Sequence, residues 1–577
     1  MKSLRAQILA LLVIVAAAFA LRFRGLNSQL PQWTYWDGYV LYDQTQYLRG
    51  ELQPEGPVRT LGYYPYLSAA VASVLPAVQL ERASDDSVEL LARARERWMR
   101  PRLASMLLSL FAVVGAWGIA RHFVRPGYAL LAAALTATSL LHITYSTAQR
   151  PHGAASGMTA LAIWSVLYMR RAGGWRGTLT AAFGVGLAIA ALQSGFATLV
   201  AFAIAWVWRK DRGRLGCDLL ALVASALIVA VFVRVFYPFH FDDRAGPGAV
   251  LETSGSTLTL AGHTIHLSKL TGRGFWILGS SFALFDPVVT LLALVAAIPW
   301  LAGTLRAKDG IERELRRDAW VCLGYALPFF AVFGMYELTF ERFALPVVPL
   351  LAVAAACGCE RVATWLPRLA SGRLAAAGFA LVLALPVVAA WKLGTLRSEP
   401  DTFEVAARYV EEHALPGDAK VLLLQNFDLP SPYSGAALRE MARNSTLYWT
   451  SSQRELVDPA SDATGLRIIR RKQPDFDDAG EEVEPAEPVT QKWLTDNGVK
   501  FVVALQASRG LRDPSSLDLV RQLRKAGKRA LLISPFGEPT KRDESRLDLG
   551  FGLTESGTAL QILRTRTYGP QIEIFEL

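Results

Sequence analysis

Cysteine is nearly missing from this chain: four of 577 residues, Cys217, Cys322, Cys357 and Cys359, all in or beside apolar runs. With none beyond position 359, a disulfide framework or a cysteine metal site in the last third is excluded. Charge is scarce as well, 19 % of residues against 52 % hydrophobic ones, with a mean hydropathy of +0.27. Ordinary soluble domains carry ~25 % charge. Paired internal repeats, common in transporters, are absent. The net charge is +10, but the basic residues stand in short clusters between apolar runs and not along one polar face, which argues against a nucleic-acid surface.

What is present is a series of uninterrupted apolar runs, each near the ~20 residues that a spanning helix needs. Spans are expected near 5–21, 102–120, 127–145, 153–169, 178–192, 196–208, 217–237, 281–304, 318–335, 343–359 and 374–391, eleven in all. With the N-terminus inside, the inner segments carry 19 Lys and Arg and the short outer loops only Arg150, Arg342, Lys392 and Arg397, so the positive-inside rule sets the orientation. Lys2 and Arg5 before the first run, with Ala18-Phe19-Ala20 at its end, also fit a cleaved signal peptide. In either case the chain beyond Leu21 is delivered outside.

Two segments resist a simple span. LGYYPYLSAAVASVLPAVQL (61–80) is long enough, but Pro65, Pro76 and the cluster Tyr63, Tyr64 and Tyr66 suit the outer interface. The stretch 178–208 is too long for one span and short for two, which predicts a broken hairpin turning at Gln193-Ser194-Gly195. Non-helical backbone at that depth survives only buried in protein or lining a wet cavity. After Lys392 the pattern changes to alternating short helices and strands. Strands are expected at Val421–Leu424, Phe501–Leu505, Ala530–Ser534 and Gln571–Phe575, and helices at Asp401–His413, Val489–Asn497 and Leu517–Ala526. The fold class is thus a polytopic α-helical membrane protein, 1–397 with a first outer loop 22–101, followed by a soluble α/β domain, 398–577, on the outer, periplasmic side of the inner membrane.

In that first loop Asp37 stands among Trp33, Tyr35, Trp36 and Tyr39. An ionised carboxylate at a membrane surface is expensive unless paired or used, which points to a general base; an interfacial aromatic anchor is the plainer alternative. Asp43 is placed to share the site.

Four stretches carry a resemblance to a known family: Trp36-Asp37 with Tyr42 and the GYYPYL segment; YSTAQRPHGAASGMTALAIW (145–164); GVGLAIAALQSGFATLVAFAIAW (184–206); and ERFALPVVPLLAVAA (341–355). With the tail segments PDTFEVAARYVEEHALPGDAKVLLL and GPQIEIFEL, the chain resembles the GT-C superfamily of polyprenyl-phosphate-sugar glycosyltransferases, near the protein mannosyltransferase and aminoarabinose transferase branch. The resemblance implies inverting sugar transfer on the outer face, from a polyprenyl-phosphate donor to a protein, lipid or glycan acceptor. Asp37 then stands where the family has its loop base, and Arg150 and Arg342 serve the leaving phosphate, with Tyr63 and Tyr64 beside it. The chain departs from the pattern at Gly38, where relatives have Glu, at His152 for Asp, and at Gln193 for Lys. Each departure removes a charge. Asp37, Asp43 and His152 are compatible with a divalent metal, but no spacing signature marks one. The rival readings are a transporter or flippase and a non-catalytic assembly protein.

Overall fold

The computed structural model describes residues 2–30, 38–52, 64–78, 87–210, 215–238, 251–254, 257–260, 263–303, 310–365, 372–424, 427–443, 456, 464–471, 475–476, 482–484, 488–506, 514–537 and 558–577. They fall into two compact units: Met1–Phe23, Val40–Leu75 and Pro101–Trp391 form the first, and Arg24–Tyr39, Pro76–Arg100 and Lys392–Leu577 the second. The second unit therefore joins two stretches of the expected outer loop to the tail.

Helices follow the apolar runs: α1 (Lys2–Phe23), α2 (Gly38–Leu48), α3 (Leu67–Ser73), α4 (Ser87–Ser109), α5 (Phe111–Ala120), α6 (Pro126–Thr138), α7 (Leu140–Ser146) and α8 (His152–Ala172). They continue as α9 (Gly174–Ala191), α10 (Thr198–Val207), α11 (Leu215–Phe236), α12 (Arg273–Phe285), α13 (Pro287–Gly303), α14 (Gly310–Met335), α15 (Val348–Trp365) and α16 (Gly372–Ser398). In hydrocarbon each backbone N–H and C=O needs a partner within the segment, and an α-helix supplies them all. Only 11 % of the apolar window of α1, and the same share of that of α11, is covered by protein. Leu9, Leu12 and Val13 on α1, and Leu219, Leu220, Leu227 and Val231 on α11, face outward. A rim this apolar is soluble only in lipid, so the protein is a multi-pass membrane protein.

Inside the rim, small residues let helices approach closely. A Cβ on Gly157 of α8 would lie 2.1 Å from the Leu108 carbonyl of α4, and one on Gly115 of α5 2.5 Å from the Ala160 Cβ. This is packing by close backbone approach, which works without a hydrophobic driving force between helices. At the C-terminal end of α8, Arg170 and Arg171 both clamp the buried Asp318 of α14, and Lys210 lies 3.4 Å from Glu314. These basic residues are among the 19 assigned to the inner side.

Among the described residues six helices are long and apolar enough to cross a bilayer, or eight if each bent pair is one span, against the eleven expected. One reason is breakage. The expected span 281–304 is not one rod, because α12 and α13 meet at 114° around Asp286; α6 and α7 bend by 51° at Ser139. The expected hairpin break is present: α9 stops at Ala191, a 3₁₀ turn covers Gln193–Ala197, and α10 begins at Thr198. Between α11 and α12 runs an antiparallel meander, β1 (Leu251–Ser254), β2 (Thr257–Leu260) and β3 (His263–His266).

The tail holds a five-stranded sheet built from β4 (Lys420–Leu423), β5 (Arg467–Ile469), β8 (Val499–Gln506), β9 (Arg529–Ile533) and β10 (Gln571–Glu576), in the order β5-β4-β8-β10-β9. A small hairpin, β6 (Asp475–Phe476) and β7 (Glu482–Glu484), lies outside it. Strands β5, β4 and β8 are parallel, and β10 runs antiparallel to both its neighbours. Successive side chains alternate between faces. Val421, Phe501, Val503, Ile572 and Ile574 pack under Phe403, Ala407 and Val410 of α17 (Thr402–Ala414), while Leu422, Val502, Ala504 and Phe575 pack against Leu519 and Leu523.

Asp401 caps α17, its carboxylate accepting from the Glu404 N–H at 2.9 Å, and burial pushes its pKa up to about 7. The folded state thus holds a proton that the unfolded aspartate releases near pH ~4, so this contribution to stability is greatest in acid and is lost as pH rises to about 7. Thermal unfolding of the full chain should accordingly show a tail transition that falls between about pH 5 and about pH 7 and flattens in Asp401→Asn. An equal slope in both proteins would contradict the assignment.

Candidate functional site

The site residues come together where α7 gives way to α8. Arg150 is 2 % exposed in this turn, and its backbone carbonyl accepts from Ser105 Oγ at 2.5 Å. Its guanidinium donates to the Tyr64 hydroxyl at 3.3 Å. His152 opens α8, whose first turn has Pro151 as cap residue and no side-chain cap. The free N–H groups of a helix start carry partial positive charge and suit an anion.

The segment from Tyr64 to Tyr66 is held from two sides. Gln44 of α2 donates from Nε2 to the Tyr64 carbonyl, and the Tyr66 N–H donates to the Phe236 carbonyl at the end of α11. Behind it, the His152 ring stacks on Phe343 with centroids 5.2 Å apart, and Tyr64 meets His152 edge-on at 6.5 Å. Phe343 belongs to a 3₁₀ turn, Glu341–Val347, where the Pro346 ring restrains the chain. In the same turn Arg342, 8 % exposed, lays its guanidinium over Phe340 at 4.1 Å and Phe343 at 5.2 Å. Cation–π contact holds the guanidinium plane while leaving its N–H edge for hydrogen bonds.

Four expected residues, Tyr64, Arg150, His152 and Arg342, therefore share one neighbourhood. Gln193 is half-buried in the hairpin turn, next to Ser194. Asp43 is half-buried on α2, adjacent in sequence to Gln44. Asp37 and Tyr63 lie outside the described residues. Among the described residues no group of three or more His, Cys, Asp or Glu side chains is arranged to hold a metal. Two further neighbours are the buried Glu341 and the ring of Phe343. An acid beside an arginine between two apolar runs is the sequence signal for Glu341.

No family model matches the chain, and no curated protein matches it. Solved structures similar to it include the apo oligosaccharyltransferase of Archaeoglobus fulgidus, at 13 % identity and a TM-score of 0.44, covering 86 % of this chain and 69 % of that one. ArnT from Cupriavidus metallidurans bound to undecaprenyl phosphate is another, at 16 % identity and 0.40, covering 78 % and 76 %. The apo form of that ArnT gives 14 % identity and 0.42 over 98 % and 97 % of the two chains. At this level of likeness the functional reading rests on the chain's own residues.

Proposed function

We propose that the protein is a membrane glycosyltransferase that moves a sugar from polyprenyl phosphate to an acceptor hydroxyl on the outer face, by inverting transfer. The observation that carries this reading is the convergence of two buried arginines, Arg150 and Arg342, with His152 at the uncapped start of α8. A guanidinium grips phosphate oxygens through charge-assisted hydrogen bonds, and a phosphate monoester is the anion a lipid-linked donor releases.

In the proposed step the acceptor oxygen attacks the anomeric carbon while Asp37 takes its proton. The bond from that carbon to the phosphate oxygen breaks, and the negative charge left on the phosphate is met by the two guanidinium groups and the N–H groups of α8. The chain crosses the membrane eleven times in this reading, with the N-terminus inside and the tail outside. Protein, lipid and growing glycan all present suitable hydroxyls as acceptors. A mass comparison of surface glycans and glycolipids with and without the gene tests the function, and loss of one defined sugar is expected.

Topology has its own test. In intact cells a membrane-impermeant thiol reagent should label Lys492→Cys, an exposed position of the tail, and leave Gly310→Cys untouched. The reverse pattern would turn the map upside down.

A further inference from the structure

Arg22, in the last turn of α1, is completely buried. Its guanidinium donates to the carbonyls of Ala18 at 3.0 Å, Ala137 at 2.8 Å and Thr136 at 3.3 Å, and to Nδ1 of His142 at 2.9 Å. Arginine has donors only, so Nδ1 is the acceptor and the proton of neutral His142 sits on Nε2. Nε2 then donates to Ser156 Oγ at 3.0 Å, and Ser156 passes its own hydrogen to the Leu345 carbonyl at 2.9 Å. The chemistry of the two ends sets the direction of every link.

The chain of hydrogen bonds starts at a break and ends at the site. Thr136 and Ala137 belong to the last turn of α6, whose carbonyls lack helical partners, and Arg22 supplies them with a cation. One residue past the bend, buried Asp286 accepts from Ser139 Oγ at 2.5 Å and from the Leu140 N–H at 2.8 Å, so an anion meets the start of α7. His142 is thereby held on α7 between two opposite charges. At the other end, Ser156 is one helical turn after His152, and Leu345 is three residues after Arg342 in the 3₁₀ turn.

We propose that Arg22, His142 and Ser156 are positioning residues, which fix the turn bearing Arg342 against the start of α8 bearing His152 and so set the grip on the donor phosphate. The inference rests on the proposed polyprenyl-phosphate donor. A phosphate clamp formed from two separate elements works only if their spacing is held, and this relay is a polar tie between them within buried surroundings.

The test is titration of the full chain in nanodiscs with undecaprenyl phosphate. Ser156→Ala removes no volume beyond one oxygen and should weaken binding at least about tenfold, since it leaves two buried partners, the His142 N–H and the Leu345 carbonyl, without their hydrogen bonds, with the protein still folded and monodisperse. His142→Gln keeps an acceptor for Arg22 and a donor for Ser156 and should bind nearly as the wild type does, whereas His142→Leu should lose affinity. That ordering separates positioning from bulk packing and decides the matter even if Ser156→Ala does not fold. Wild-type affinity in Ser156→Ala, or equal affinity in the two His142 variants, would overturn the proposal. A wild-type protein that does not bind undecaprenyl phosphate would overturn the donor reading itself, and this proposal with it.

Discussion

Asp37→Asn is expected to leave the protein folded and able to bind its lipid phosphate while lowering turnover about 10²- to 10⁴-fold, the range a general base supplies. The amide keeps the shape of the carboxylate and loses its ability to take a proton from the acceptor hydroxyl. Asp43→Asn is the control on the same loop: it costs less if Asp43 only orients the loop, and as much if the two acids act as a pair. Turnover of Asp37→Asn at the wild-type rate would return the first loop to the role of an interfacial anchor.

Arg342→Ala is expected to weaken use of the donor by about 10- to 100-fold, the worth of a charge-assisted hydrogen bond to a buried phosphate. Arg342→Lys should fall between. Lysine keeps the positive charge but brings a single ammonium where the guanidinium, held over Phe340 and Phe343, offers a fork matched to two phosphate oxygens. The effect belongs in donor KM and in the affinity for free polyprenyl phosphate. Equal donor dependence in wild type, Ala and Lys variants would remove Arg342 from the site.

Local pattern made most of the architecture legible. Strands β4, β8, β9 and β10 lie where alternating or continuous apolar runs predicted them, and α17, Thr402–Ala414 with Asp401 as its cap, covers the helix expected over Asp401–His413. The hairpin break at Gln193–Ala197 was readable from length alone, since 31 residues between basic flanks are too few for two full crossings. Tyr64, Arg150, His152 and Arg342 stand out in the sequence because arginines, histidines and tyrosine clusters are conspicuous at the ends of apolar runs. Their meeting was not legible, since Tyr64 and Arg150 are 86 positions apart in the chain.

The bends were illegible for a related reason. Asp286 sits in a run whose hydropathy reads as one span, and only its contact with Ser139, 147 positions earlier, shows that it terminates one helix and caps another. Arg22 likewise reads as a residue just past an apolar run, whereas its partners are carbonyls on α6. Periodicity reports which face of a helix is apolar. It does not report which distant helix end a buried charge will satisfy.

The central claim is that the polar site at the start of α8 performs sugar transfer, and transport through the broken helices is the competing use of such a site. Both are decided by incubating the purified protein in sealed vesicles with a panel of polyprenyl-phosphate sugars and following the lipid products by mass. The account predicts that at least one donor, presented on the tail side, loses its sugar to a supplied acceptor and leaves free polyprenyl phosphate, and that Asp37→Asn slows this about 10²- to 10⁴-fold. Intact donor lipids that change leaflet in the presence of the protein, with no sugar released from any of them and no difference in Asp37→Asn, would contradict it.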